Sequence, residues 1–192
     1  MRSLHLMSRK DTAILVVDIQ EKLFPMIAER DQVLANCRLV LKAANALNLR
    51  VVVTEQYPKG LGHTIAELAD LIQNPAIEKL TFSCCGEEGL VSKIGAGGIK
   101  KVLLIGIEAH VCVQQTAFDL LANGFDVYLA IDAVGSRHAN DKNWALQRMQ
   151  KAGVSLTTAE SAVFEWTERS GTTEFKTISQ LIKESDALRA GS

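Results

Sequence analysis

Hydrophobic and polar positions divide the chain into two kinds of segment. Some short runs are apolar almost throughout: residues 13–17, 50–53, 102–105 and 127–131. Two weaker runs, 77–82 and 154–158, complete a set of six predicted strands. Between them, apolar residues recur at helical spacing and predict helices over about 32–47, 65–71, 89–94, 111–123, 141–152 and 173–188. A strand that does not alternate is buried on both faces, and strands alternating with helices give a parallel sheet covered on each side. The predicted fold class is therefore α/β, a three-layer αβα sandwich around a six-stranded parallel, Rossmann-like sheet. No repeat or linker interrupts the pattern, so residues 1–192 read as one domain, with its core over about 10–165 and a closing helix over 173–188. The terminal Ala190-Gly191-Ser192 reads as a frayed tail.

Composition narrows the function classes. Apolar residues make up 47% of the chain and charged residues 22%, as in soluble globular proteins. The net charge of −1, with acids and bases scattered, offers no groove for nucleic acid and no basic face for a membrane. No apolar stretch approaches the roughly 20 residues that span a bilayer. The opening Met1-Arg2-Ser3-Leu4-His5-Leu6-Met7 has too short an apolar centre for a secretory signal. The chain reads as cytoplasmic, and its four cysteines, Cys37, Cys84, Cys85 and Cys112, suit a reducing compartment. They form no C-x-x-C pair and no zinc-ligand spacing, so no metal and no cofactor is expected.

In an open parallel sheet, ligands bind beyond the carboxyl ends of the strands. That rule selects Asp18 and Gln20, the stretch Glu55 to His63, the loop Glu108 to Cys112, and Asp132 with Ser136 to His138. Cys112 opens a predicted helix just after a buried strand. There the helix dipole and unpaired N–H groups favour thiolate, although an arbitrary cysteine is more often a buried packing residue. Asp18 ends an all-apolar strand, either capping the following turn or serving as a functional carboxylate. His110, in the same tight loop as Cys112, reads as a substrate contact or a structural residue rather than as the partner of the thiol. Cys84 and Cys85 read as packing residues. Gly95-Ala96-Gly97-Gly98 follows a helix and precedes a strand, the reverse of a phosphate cradle.

Three motifs in order, Ile14-Leu15-Val16-Val17-Asp18-Ile19-Gln20, Glu78-Lys79-Leu80-Thr81-Phe82-Ser83 and Gly106-Ile107-Glu108-Ala109-His110-Val111-Cys112-Val113, resemble the isochorismatase-like cysteine hydrolase superfamily. Thr54-Glu55-Gln56-Tyr57-Pro58-Lys59-Gly60-Leu61-Gly62 is similar to the isochorismatase-domain-containing proteins of unassigned substrate. The resemblance implies an Asp-Lys-Cys triad at Asp18, Lys79 and Cys112; spacing alone does not select Lys79. It also implies a cis peptide between Ile107 and Glu108, an oxyanion hole from the N–H groups of Glu108 and Cys112, and a homo-oligomer. In the implied mechanism Lys79 and the helix start favour the Cys112 thiolate, and Asp18 relays the thiol proton.

Two departures shape the expected substrate. The Asp-x-His…His metal cluster of nicotinamidases is missing after the second strand, so no catalytic metal is expected. The aromatic residue that many relatives carry five places after the aspartate is Leu23 here, with Phe24 beside it. True isochorismatases generally lack the nucleophilic cysteine, so Cys112 favours acyl chemistry over vinyl-ether hydrolysis. The expected function is metal-independent hydrolysis of a small amide, ureido or related acyl compound through a thioester. Gln20, Phe24, Tyr57, Phe82 and His110 are the expected pocket wall. Alternatives are a silent binding or scaffold protein that keeps the fold, and a hydrolase of a non-amide bond. Phe164 and Trp166 read as either interface or core.

Overall fold

The computed structural model describes residues 2–190, with side chains through residue 186. Of the tail read above as frayed, Gly191 and Ser192 lie outside the described residues. The strands are β1 (Thr12–Val17), β2 (Arg50–Gln56), β3 (Ile77–Lys79), β4 (Lys101–Ile107), β5 (Asp126–Gly135) and β6 (Ser155–Thr157). The helices are α1 (Arg30–Leu47), α2 (Pro58–Leu61), α3 (Ala66–Ala69), α4 (Leu90–Gly95), α5 (Gln114–Ala122), α6 (Ala139–Lys151), α7 (Ala159–Thr167) and α8 (Thr173–Ala190). All strand pairings are parallel, in the order β3-β2-β1-β4-β5-β6. This is the αβα arrangement expected from the apolar runs. Among the described residues no helix is long and apolar enough to cross a membrane.

The central strands show why they read as unbroken apolar runs. Every residue of β1 and of β4 is buried. Successive side chains point to opposite faces of the sheet. Ile14, Val16, Leu103 and Ile105 enter one core with Val40, Leu41 and Leu47 of α1 and Val163 and Trp166 of α7. Ala13, Leu15, Val17, Val102 and Leu104 enter the other with Ile94 of α4, Ala117 and Leu120 of α5 and Met149 of α6. Each such aliphatic side chain contributes about 1.5–3 kcal/mol when fully buried. The chain winds outward from β1 in one direction and from β4 in the other. A crevice therefore opens at the carboxyl ends of β1 and β4, where strand order reverses.

Several elements differ from the expectation. β3 ends at Lys79 rather than continuing to Phe82, because Glu87 collects the Leu80 N–H at 3.1 Å and the Thr81 hydroxyl at 3.2 Å and folds the chain into a turn. The helix expected over 65–71 is the single turn α3. β5 runs on to Gly135, past a register shift against β4 between Leu104 and Gly106. Helix α7 was not anticipated, although Thr158 caps it by accepting the Ser161 N–H at 3.2 Å. Trp166 is wholly buried in the core, and Phe164 remains partly exposed.

Candidate active site

β1 delivers Asp18 to the crevice. The residue adopts a left-handed backbone (φ 50°), which aspartate tolerates better than most side chains, and its N–H donates to the Thr54 carbonyl at 3.2 Å. Its carboxylate is wholly buried. Oδ1 accepts the Thr54 hydroxyl at 2.8 Å, and Oδ2 meets the Lys79 ammonium at 2.6 Å, at an angle outside hydrogen-bond geometry. A buried ion pair holds only where its remaining polar atoms are also satisfied. Lys79 meets that condition. Its Nζ donates to Gln56 Oε1 at 2.6 Å and to the carbonyls of Phe82 and Thr81 at 3.1 and 3.2 Å. Burial is the largest single influence and disfavours the ammonium, but Asp18 together with the neighbouring Cys84 and Cys112 outweighs it, and the Lys79 pKa stands above the ordinary lysine value.

β4 delivers the thiol. After Ile107 the chain makes one π-helical turn, Ala109–Val113, closed by Val113 N–H donating to the Glu108 carbonyl at 3.2 Å, and α5 begins only at Gln114. Such single turns recur at functional sites. Cys112 lies in this turn, 7% exposed, rather than in the first turn of a regular helix. Its thiol lies within the electrostatic reach of the Asp18 carboxylate and the Lys79 ammonium. Burial, then the Asp18 charge, pushes the thiol up to about 12, with Lys79 pulling the other way. The resting group is therefore a thiol, which corrects the expectation that Lys79 and the helix start hold it as thiolate. Both lose here to desolvation and to the negative charge of the nearby Asp18 carboxylate.

The peptide bond between Ile107 and Glu108 is cis. The Glu108 carboxylate accepts the Arg137 N–H at 3.0 Å and its Nε at 3.1 Å. Gly106 makes this approach possible. A Cβ there would stand 2.2 Å from the Val17 carbonyl oxygen, and its φ of +121° is strained for any side chain.

The expected pocket residues separate into two groups. Gln20 is wholly buried, and its amide is spent on backbone: Nε2 donates to the carbonyls of Gln56 and Gly62, and Oε1 accepts the Gln56 N–H. Phe24 packs into the core beside α1. Both are structural, which corrects their placement in the pocket wall. Tyr57 and Phe82 stand exposed just past β2 and β3. His110 is partly exposed and shares a 3.0 Å hydrogen bond with Ser136. Where a metal cluster is missing from the sequence, Glu55 pairs with His63 at 3.0 Å and accepts from the N–H and hydroxyl of Thr64.

Two residues at the site, Thr54 and Cys84, were not singled out from the sequence as functional, and Gln56 was reached only as part of the stretch Glu55 to His63. Thr54 and Gln56 share one face of β2, while Glu55 points to the other. Applying the period of two to the polar end of that strand would have found both.

The isochorismatase domain model matches residues 12–161. The chain is 38% identical over 176 residues to isochorismatase domain-containing protein 2 of Danio rerio, covering 92% of this chain and 89% of the relative. A Caenorhabditis elegans structure described as MAR1 ribonuclease is 37% identical, with a TM-score of 0.85 over 93% of this chain and 92% of that one. The Escherichia coli YcaC structure, described as an octameric hydrolase of unknown specificity, is 25% identical, with a TM-score of 0.87 over 100% and 98% of the two chains.

Proposed function

This chain belongs to the isochorismatase family, and we propose that within it the chain is a metal-independent cysteine hydrolase of a small amide, ureido or related acyl compound. The observation that supports this reading is one buried carboxylate, Asp18, paired with the Lys79 ammonium at 2.6 Å and close enough to Cys112 for both charges to act on its thiol.

The proposed reaction follows from those contacts. As Cys112 Sγ attacks the carbonyl carbon, its proton passes to Asp18, and the C–S bond forms while the carbonyl oxygen takes up negative charge. The Glu108 and Cys112 N–H groups hold that oxygen; a donor of this kind is worth about 3–4 kcal/mol to the transition state. Protonated Asp18 gives its proton to the departing nitrogen as the C–N bond breaks, leaving a thioester. Asp18 then takes a proton from water as the water oxygen attacks the thioester carbon; the C–S bond breaks, Asp18 returns that proton to the departing Cys112 sulfur, and the carboxylic acid is released with thiol and carboxylate restored. Lys79 remains an ammonium throughout and holds Asp18 in position. Coupling deprotonation to attack suits a thiol whose resting pKa is as high as that of Cys112.

RNA cleavage, the activity in the description of the nematode structure, fits this rim less well. Glu55, Glu21 and Glu78 surround His63 beside the β2 end and oppose a polyanion. By analogy with YcaC, we propose that copies of this chain assemble into a homo-oligomer. The test is a screen of small amides and ureido compounds for release of amine or ammonia, with Cys112→Ala as control. Turnover in wild type and none in the folded variant supports the reading. Equal turnover in both excludes covalent catalysis by this thiol. A wild type that labels slowly and independently of Asp18, and turns over nothing, favours a binding or scaffold protein.

A further inference from the structure

Cys84 lies outside the proposed triad, yet it is wholly buried against it. Its N–H donates to Thr116 Oγ1 at 2.9 Å, which fixes the cysteine in the turn after Ser83. Its Sγ lies 3.5 Å from Thr54 Oγ1, whose hydroxyl lies 2.8 Å from Asp18 Oδ1. The direction of this chain follows from chemistry. A carboxylate only accepts, so the Thr54 hydrogen goes to Asp18. The Thr54 oxygen is then left to accept, and Cys84 supplies the S–H. Burial keeps Cys84 protonated, raising its thiol to about 11, so the donor persists across neutral pH.

We infer that Cys84 and Thr54 form a hydrogen-bonded arm that positions Asp18 as general base and stabilises its charged form. This inference rests on the cysteine-hydrolase reading. The titratable groups facing Asp18 are Lys79 from β3, Cys112 from the π-helical turn and Cys84 behind Thr54. Lys79 forms an ion pair with Oδ2, and Thr54 donates a hydrogen bond to Oδ1. Each donor stabilises the charged carboxylate, so loss of either raises the pH at which it protonates. Thr54 and Cys84 touch no substrate in this account; they act through Asp18.

The test is the rate of Cys112 alkylation by iodoacetamide as a function of pH, located by peptide mass spectrometry. In wild type the rate falls on the acid side where Asp18 takes up a proton. Thr54→Val, close in shape, moves that acid limb upward by about one pH unit, and Thr54→Ser restores it. Cys84→Ala moves it the same way by a smaller amount, and Cys84→Ser, which keeps a donor, leaves it near wild type. A uniformly slower rate in Thr54→Val with the limb in place would show a merely structural residue and overturn the arm. So would an equal shift in Thr54→Ser. Asp18→Asn separates the two levels of the argument. If it abolishes the limb while Thr54→Val leaves it unmoved, only the arm fails. If the limb is missing from wild type or survives in Asp18→Asn, the hydrolase reading fails and the arm fails with it.

Discussion

Replacing Lys79 with methionine removes the cation and leaves Asp18 buried beneath β2 and β3. The side chains of the pair are 0% and 1% exposed, so water cannot take over from the ammonium. Orphaning one partner of such a pair costs about 3–5 kcal/mol. The variant can escape part of that cost by protonating Asp18, and this escape depends on pH. For a carboxyl of ordinary acidity, taking up a proton costs about 5–6 kcal/mol at pH 8 and about 1–2 kcal/mol at pH 5. Lys79→Met is therefore expected to lose about 3–5 kcal/mol at pH 8 and about 1–2 kcal/mol at pH 5 from this charge. A further loss independent of pH comes from the carbonyls of Thr81, Phe82 and Gln56 that lose their donor. The assay is urea unfolding at fixed protein concentration, followed by the fluorescence of Trp144 and Trp166. Asp18→Asn in the Lys79→Met background should recover stability at pH 8 by removing the orphaned charge. Equal losses at both pH values, or no recovery in the double variant, would refute the claim that the pair is a buried, mutually dependent unit.

Other consequences can be checked alongside it. Gln56→Glu sets a second carboxylate against Lys79, weakening its hold on Asp18 and opposing thiolate, so Cys112 alkylation at pH 8 should slow about tenfold; an unchanged rate would contradict the lysine geometry. Stability should decline above about pH 8.5. Unfolded thiols ionise there, while folded Cys84 and Cys112 keep their protons to about 11 and about 12 and Cys37 higher still. Stability is thus complete below the unfolded thiol pKa and is lost as pH rises, by about 1.4 kcal/mol per unit for each buried group. Lys79, also raised, adds its own loss only at more alkaline pH, and a flat urea midpoint from pH 8 to 10 would contradict this. Gly106→Ala should cost about 2–4 kcal/mol and abolish Cys112 labelling, since β1 and the turn must move apart; normal stability and labelling would contradict the close approach.

The sheet was legible because β1 and β4 are buried on both faces and therefore carry no polar interruption. The rule of carboxyl ends then placed Asp18 and Cys112 among the candidates, and the family resemblance assigned their roles. Lys79 was not legible from spacing. It belongs to a strand of three residues at the edge of the sheet, and its long side chain crosses beneath β2 to reach a carboxylate on β1. The same long-range geometry hid Cys84, which adjoins Asp18 only through Thr54. Gln20 and Phe24 misled for a different reason. Nearness to Asp18 along the chain says nothing about side-chain direction, and Phe24 turns into the core while Gln20 turns onto the backbone of Gln56 and Gly62. The thiol was misjudged because a helix start is visible in sequence and the family resemblance supplied the lysine, whereas burial beside a carboxylate is visible in neither.

The central claim is that Cys112, Asp18 and Lys79 act as one unit in covalent acyl transfer. The most direct test exposes the protein to para-nitrophenyl acetate and follows acyl transfer by intact mass and peptide mapping. The account predicts a single acetyl adduct on Cys112, absent from Cys112→Ala and formed much more slowly in Asp18→Asn. Acetylation spread over surface amines or Cys85, at a rate indifferent to Asp18, would contradict it.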